Sequence, residues 1–166
     1  MPPKLPPLQF VRSVLKSFMA ESGLEPRLLG GNIRVTNAIH GRVDFELDIT
    51  KDHTNRLKIL HGGTIASMVD LGGSLAVAST GLYATGVSTD LNVTYLSGGG
   101  KIGDKITGSA ICDKIGKTLA YTCVTFRNSK GELAARGSHT KYVTQAVKAQ
   151  ESPFVPPEDA EVADEK

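Results

Sequence analysis

The chain has no tryptophan, five phenylalanines, four tyrosines and two cysteines in 166 residues. So few aromatic rings provide no stacking platform for single-stranded nucleic acid. Cys112 and Cys123 fall in neighbouring predicted strands, and no Cys/His spacing fits a zinc site. No leading segment joins an apolar core to a small-residue cleavage site, so the expectation is a reduced, intracellular protein whose cysteines are small core residues. No apolar run approaches the roughly 18 residues that cross a bilayer, which excludes a membrane span. A βαβ rhythm is also missing, and with it a Rossmann fold.

With 40% hydrophobic residues, the chain can fill one core but not a second of similar size. The formal charge of +2 is uneven. Glu151, Glu158, Asp159, Glu161, Asp164 and Glu165 face only Lys166 at the C-terminus, so residues 1–150 are clearly basic and suit an anionic ligand. Residues 144–166 read as an acidic, disordered tail, with a partner-binding or autoinhibitory segment as the alternative. Residues 1–9, with Pro2, Pro3, Pro6 and Pro7, read as a flexible N-terminus.

Between them lies one domain, residues 10–143. Phe10, Val11, Val14, Leu15, Phe18 and Met19 recur at helical spacing. Lys4, Arg12 and Lys16 precede the first acid, Glu21, so a mitochondrial targeting segment is the other reading, and cytoplasm and mitochondrion both stay open. Val43, Phe45, Leu47 and Ile49 alternate with Arg42, Asp44, Glu46 and Asp48, predicting a half-wet strand whose partner is supplied by the chain before His40. From Gly63 to about Ser79 the chain is apolar nearly all round, which predicts a buried central helix. Alternation then predicts strands at Val87–Leu96, Ile106–Ile115 and Leu119–Arg127 and a last segment at Leu133–Val143, with turns at Gly98-Gly99-Gly100, Gly116-Lys117 and Lys130-Gly131. The fold class is α+β, an antiparallel sheet wrapped on a long central helix with an N-terminal helix.

Leu60-His61-Gly62-Gly63 opens that helix, and Asp70 is the carboxylate inside it. Bare N–H groups at a helix start and a carboxylate two turns on are the parts that polarise a carbonyl and drive a water at it. Glycine at 62 lets a substrate approach the backbone; equally, Gly62 and Gly63 can simply make a tight turn. Asp70 is either a hydrogen-bonded strut or a general base or nucleophile, and an apolar helix makes it costly unless it is paired or wet. Eight helical residues span about 12 Å, too far for Gly62 and Asp70 of one chain to act on one carbonyl. Acting together, they must come from two subunits about a two-fold axis, so a homodimer with shared sites is expected.

His53-Thr54-Asn55, Leu60-His61-Gly62-Gly63, Asp70, Gly86-Val87-Ser88, Asp90-Leu91-Asn92-Val93-Thr94-Tyr95, Gly116-Lys117-Thr118 and His139-Thr140-Lys141 together resemble the hotdog-fold thioesterases. Within them the chain is most similar to the acyl-CoA thioesterase 13 group (thioesterase superfamily member 2) and more distantly to PaaI-type phenylacetyl-CoA thioesterases. The resemblance covers about Phe10 to Val143. It implies acyl-CoA hydrolysis without an added cofactor, CoA being part of the substrate, and a dimer of dimers. It implies that Asn55 binds the carbonyl or holds the water and that Ser88 hydrogen-bonds the water held by Asp70, with a plain strand serine as the other reading of Ser88. His61 is expected to brace the loop, with direct substrate contact as the alternative, while His40, His53 and His139 are read as structural or surface residues. The resemblance further implies CoA contacts at Asp90, Tyr95, Leu96, Ser97, Lys114, Ile115, Gly116, Lys117, Thr118 and Leu119, with Lys114 and Lys117 toward phosphates. Solvated hairpin lysines are the other reading. The glycine-rich Ser97-Gly98-Gly99-Gly100-Lys101 turn is longer than in relatives.

Other motifs fail on context. Gly116-Lys117-Thr118 ends like a P-loop, but Ile111 stands where its first glycine is needed and a hairpin replaces the strand-to-helix turn. Asn92-Val93-Thr94 is a sequon inside a strand. Two rival functions remain: a non-catalytic acyl-CoA binding or sensing domain on the same fold, and a scaffold using its acidic tail.

Overall fold

The computed structural model describes residues 5–149. The acidic stretch from Glu151 and the first four residues lie outside the described residues.

Helix α1 runs Pro7–Glu21. Proline at the first helical position has its φ already set and loses no intrahelical bond, so α1 starts ahead of the Phe10 repeat. Leu5 and Leu8 pack against the core, so the N-terminal stretch expected to be flexible is packed from Leu5 onward. Val11 and Val14 are completely buried, each worth about 1.5–3 kcal/mol of apolar burial.

A short α2 (Leu24–Leu28) leads into β1 (Ile33–Ile39) and β2 (Arg42–Asp48), a hairpin turning at Gly41. Val43, Phe45 and Leu47 of β2 face inward, while Glu46 and Asp48 face out and receive Arg34 of β1, with Arg34 2.7 Å from Asp48. Helix α3 (Gly62–Ala78) follows, then β3 (Val87–Tyr95), β4 (Lys105–Ile115), β5 (Leu119–Arg127) and β6 (Leu133–Tyr142). The chain continues into α4 (Thr144–Ala149), where Ala146 is buried in a cluster with Val77, Ala120 and Val143. The packed fold therefore runs past Val143, the boundary read from the sequence.

The sheet is antiparallel in the order β1-β2-β4-β5-β6-β3. Met68, Val69, Leu71, Leu75 and Ala76 of α3 are buried with Phe45, Ile106, Ala110, Val124 and Phe126 of the sheet, so the α+β arrangement expected from the sequence is the observed one. The close approach of helix to sheet depends on β6 lacking side-chain bulk at one point. An added Cβ at Gly137 would stand 2.7 Å from Val69 Cγ2 and 2.9 Å from the Asn92 carbonyl.

Strand β3 pairs with β6 on one side only. Apart from Val93, all its residues are exposed, including Val87, Leu91 and Tyr95. It is a long open edge, the kind of strand that proteins ordinarily cover, charge or pair.

Overpacking at the helix–sheet contact gives a direct check. Gly137→Ala should lower stability by about 1–3 kcal/mol, read as a lower midpoint in urea unfolding. An unchanged midpoint would show that the contact is looser than described.

Candidate active site

Helix α3 begins at a built N-terminus. His61 is the N-cap, and its Nδ1 accepts the Gly63 N–H at 2.7 Å. The Thr64 and Ile65 N–H groups donate to the His61 carbonyl, and His61 N–H donates to the His53 carbonyl. Among the described residues the Gly62 N–H has no hydrogen-bond partner. It is thus the unspent donor at the positive end of the helix dipole. Tyr95 closes over this turn: its hydroxyl donates to the Gly62 carbonyl at 2.6 Å, and a Cβ at 62 would lie 3.1 Å from its ring.

The loop before the helix is fixed from both ends. Asn55 Oδ1 accepts the Leu57 N–H at 2.9 Å, and Asn55 N–H donates to the Ile59 carbonyl. The Asn55 side-chain amide N–H groups are left without a described partner. His53 is fully buried, accepting the Thr50 N–H at Nδ1 and lying 2.8 Å from the Leu28 carbonyl through Nε2. The second contact places its proton on Nε2 and makes it a structural pin. Gly99 lies against Leu60, and the Gly100 carbonyl accepts the Leu60 N–H, so the glycine-rich turn supports the same loop.

Asp70 is the one ionisable residue in α3. It lies at the margin where the helix reaches the open β3 edge, and its side chain is 45% exposed. Ser88 Oγ donates to Asp70 Oδ1 at 3.0 Å. His139 Nε2 stands 2.7 Å from Ser88 Oγ and 3.2 Å from Asp70 Oδ1. The cost expected for a carboxylate in an apolar helix is met in both ways, by partial hydration and by donors. Because Oδ1 takes both contacts, Oδ2 is open.

His139 was read from the sequence as structural or surface; it is not at the surface, and the structure sets it under Asp70. It is completely buried, and its Nδ1 has no partner among the described residues. Burial and then the Lys141 charge push its pKa down to about 4, against the opposing pull of Asp70 and Asp90. The ring is therefore neutral near pH 7, and the network assigns its proton to Nε2, the atom facing Ser88 and Asp70. A Cβ at Gly73 would collide with Nδ1 and with Thr122 Oγ1, so α3 passes over the ring only because residue 73 is glycine. The signal that could have found His139 was in β6. Ala135, Gly137, His139 and Lys141 share its buried face, and ionisable side chains there are rare enough to ask for a purpose.

The remaining residues fall into two groups at opposite ends of the sheet. Tyr95 pairs with Ala135, beside the Leu96 N–H bonded to the Ala134 carbonyl and the Ser97 hydroxyl bonded to the Leu133 carbonyl. This group goes with Gly62, His61 and Asn55. Ser88, Asp90 and Asp70 lie toward the other end, where Val87 and Leu119 both pair with Tyr142. The Lys114, Ile115, Gly116, Lys117, Thr118 and Leu119 hairpin closes that end, held by Val143 N–H to the Thr118 carbonyl and by Thr144 Oγ1 to the Lys117 carbonyl. One chain does not bring the two groups together. An open groove of about 430 Å³ is lined by His40, Arg42, Thr80, Ile111, Lys114 and Ile115, and neither Asp70 nor Gly62 is on its walls.

Cys112 and Cys123 are free and half-buried, and burial pushes both thiols above their ordinary range. Among the described residues no three His, Cys, Asp or Glu side chains cluster to hold a metal, and no helix is long and apolar enough to cross a membrane.

Residues 57–135 match the family model described as "Thioesterase superfamily". The chain is 40% identical to human acyl-coenzyme A thioesterase 13, over 81% of this chain and 95% of that one. Its fold superposes on zebrafish thioesterase superfamily member 2 with a TM-score of 0.75 at 36% identity, covering 84% of this chain and 99% of the other. A thioesterase protein from Streptococcus pneumoniae solved with coenzyme A superposes at 0.63, with 25% identity over 67% of this chain and 84% of that one.

His139 carries a pH test. Its pKa is pushed down to about 4 in the folded protein, against 6.5 when unfolded. Stability should therefore fall as the pH drops from 6.5 toward 4. His139→Gln should flatten that part of a Tm-against-pH curve, and parallel curves would contradict the assignment.

Proposed function

The chain belongs to the thioesterase superfamily and is an acyl-CoA thioesterase; on that premise we propose a mechanism in which Asp70 deprotonates the attacking water while Gly62 of the partner subunit holds the carbonyl oxygen. The observation that carries it is the Asp70 carboxylate itself, exposed at the helix margin with Oδ1 held by Ser88 and His139 and Oδ2 open.

In this reading a water hydrogen-bonded to Oδ2 gives its proton to Asp70 as its oxygen bonds to the thioester carbon. Negative charge collects on the carbonyl oxygen, where the unspent N–H at the start of α3 receives it. A preorganised donor of this kind is worth about 3–4 kcal/mol in the transition state. The free Asn55 amide is suited to donate to the same oxygen, since its Oδ1 is already used by the loop. The C–S bond then breaks, CoA leaves as thiolate and takes a proton from solvent or Asp70, and the free acid remains. His61 serves by fixing the loop rather than by touching the substrate.

Two chains are needed because the donor and the base lie about 12 Å apart along one helix. Pairing two β3 edges antiparallel would lay the Gly62–Tyr95 end of one chain against the Asp70–Ser88 end of the other and cover the exposed Val87, Leu91 and Tyr95. The same pairing joins Tyr95, Leu96 and Ser97 to the partner's Lys114 and the partner's Lys117, which offer cations to the CoA phosphates; Asp90 completes that wall. A dimer of dimers follows from the family resemblance alone.

Thiol release across acyl-CoAs of graded length and aromaticity tests the reading, with Asp70→Asn as the key variant. Removing a general base should cost about 10²–10⁴ in kcat, with acyl-CoA binding retained. Undiminished turnover in Asp70→Asn would remove Asp70 as the base, and no release from any substrate would favour a binding or sensing role.

A further inference from the structure

Lys141 is a charged side chain that the mechanism above does not use. It is only 3% exposed, and among the described residues its ammonium makes a single hydrogen bond, from Nζ to Ser74 Oγ at 2.8 Å. An ammonium has three protons to donate, so one hydroxyl leaves it under-served. Burial pushes its pKa below the ordinary lysine range, and only the charge of Asp70 opposes that. For stability alone, an apolar side chain of the same length would serve as well or better.

The position of Lys141 gives the reason to keep the charge. Ser74 lies four residues after Asp70 on α3, one helical turn below it on the same face. Across the sheet Lys141 is in register with Ser88, the residue that donates to Asp70. Two residues earlier on the same buried face stands His139, whose Nε2 contacts both. The titratable groups around this cluster are Asp70 from α3, Asp90 from β3 and His139 from β6, while β5 contributes only the Thr122 hydroxyl.

We propose that Lys141 is a positioning residue for the hydrolysis: its buried ammonium, anchored on Ser74 one turn below Asp70, holds the Asp70 carboxylate in its charged form. The inference rests on the reading of Asp70 as the base. A proton on Asp70 abolishes base action, and a cation beneath the helix makes that proton harder to add. The same cation opposes protonation of His139, so Nε2 remains a neutral donor to the Ser88–Asp70 pair.

The test is the pH profile of kcat/KM for the full chain, compared with Lys141→Met and Lys141→Gln. The acid limb should move to higher pH, so that most of the loss at low pH is recovered on raising it, and Tm should not fall. Acid limbs that overlay the unmodified protein's while Tm drops would make Lys141 merely structural and overturn the proposal. Linkage supplies a second measurement that leaves Lys141 in place. In Asp70→Asn the Lys141 ammonium, followed by ¹⁵N NMR, should lose its proton at lower pH than in the unmodified protein. An unmoved Lys141 titration overturns the proposal even if both lysine variants fail to fold. If Asp70→Asn hydrolyses acyl-CoA at full rate, the reading of Asp70 has failed; if it is inactive while the Lys141 measurements do not shift, only the lysine's role has.

Discussion

A carboxylate in a helix packed on apolar side chains survives only where water or donors reach it, and the rest of this site is arranged around that requirement. Asp70 stands at the margin of α3 beside β3, an edge strand of the sheet. Ser88, from that strand, supplies the donor. His139, from the next strand inward, stands behind both. Move β3 elsewhere in the sheet and Asp70 would be either buried without compensation or far from Ser88.

The groups beneath Asp70 are costly for the fold. His139 is buried with an unpaired Nδ1, an orphaned acceptor that typically costs about 1–3 kcal/mol. Lys141 is buried with one hydroxyl for company. Gly73 is a glycine inside a helix, where alanine would be better by roughly 1 kcal/mol if the ring below were absent. Three departures from good core design meet at one place, which is how strain for function differs from strain by accident.

Much of this was legible from one sequence because it was written locally. The strict alternation of Leu119–Arg127 gave the bounds of β5, and the uncharged run around Asp70 gave α3 to within a residue at either end. The free N–H of Gly62 also followed from a local signal, two glycines opening a helix, whereas the capping by His61 is visible only in the structure. What escaped depended on non-local pairing. Leu133–Val143 reads only as a last segment of the alternating run, and the place of β6 between β5 and β3 is what sets His139 under Asp70. The short α4 escaped because its helix depends on the packing of Ala146 against Val77 and Ala120, with little amphipathic pattern of its own. Asn55 came by family resemblance, which named a role toward substrate but not the loop hydrogen bond that occupies its Oδ1.

The central claim is that the donor and the base of each site belong to different chains. Mixing two inactive variants tests it most directly: Asp70→Asn, which lacks the base, and Gly62→Pro, which lacks the N–H but keeps a residue suited to the first helical turn. After random reassociation, a site shared between subunits is intact at one of the two positions in every heterodimer, so the mixture should regain about a quarter of the unmodified turnover. A mixture that stays as inactive as its components, with heterodimers shown to have formed, would place both groups in one chain and contradict the account.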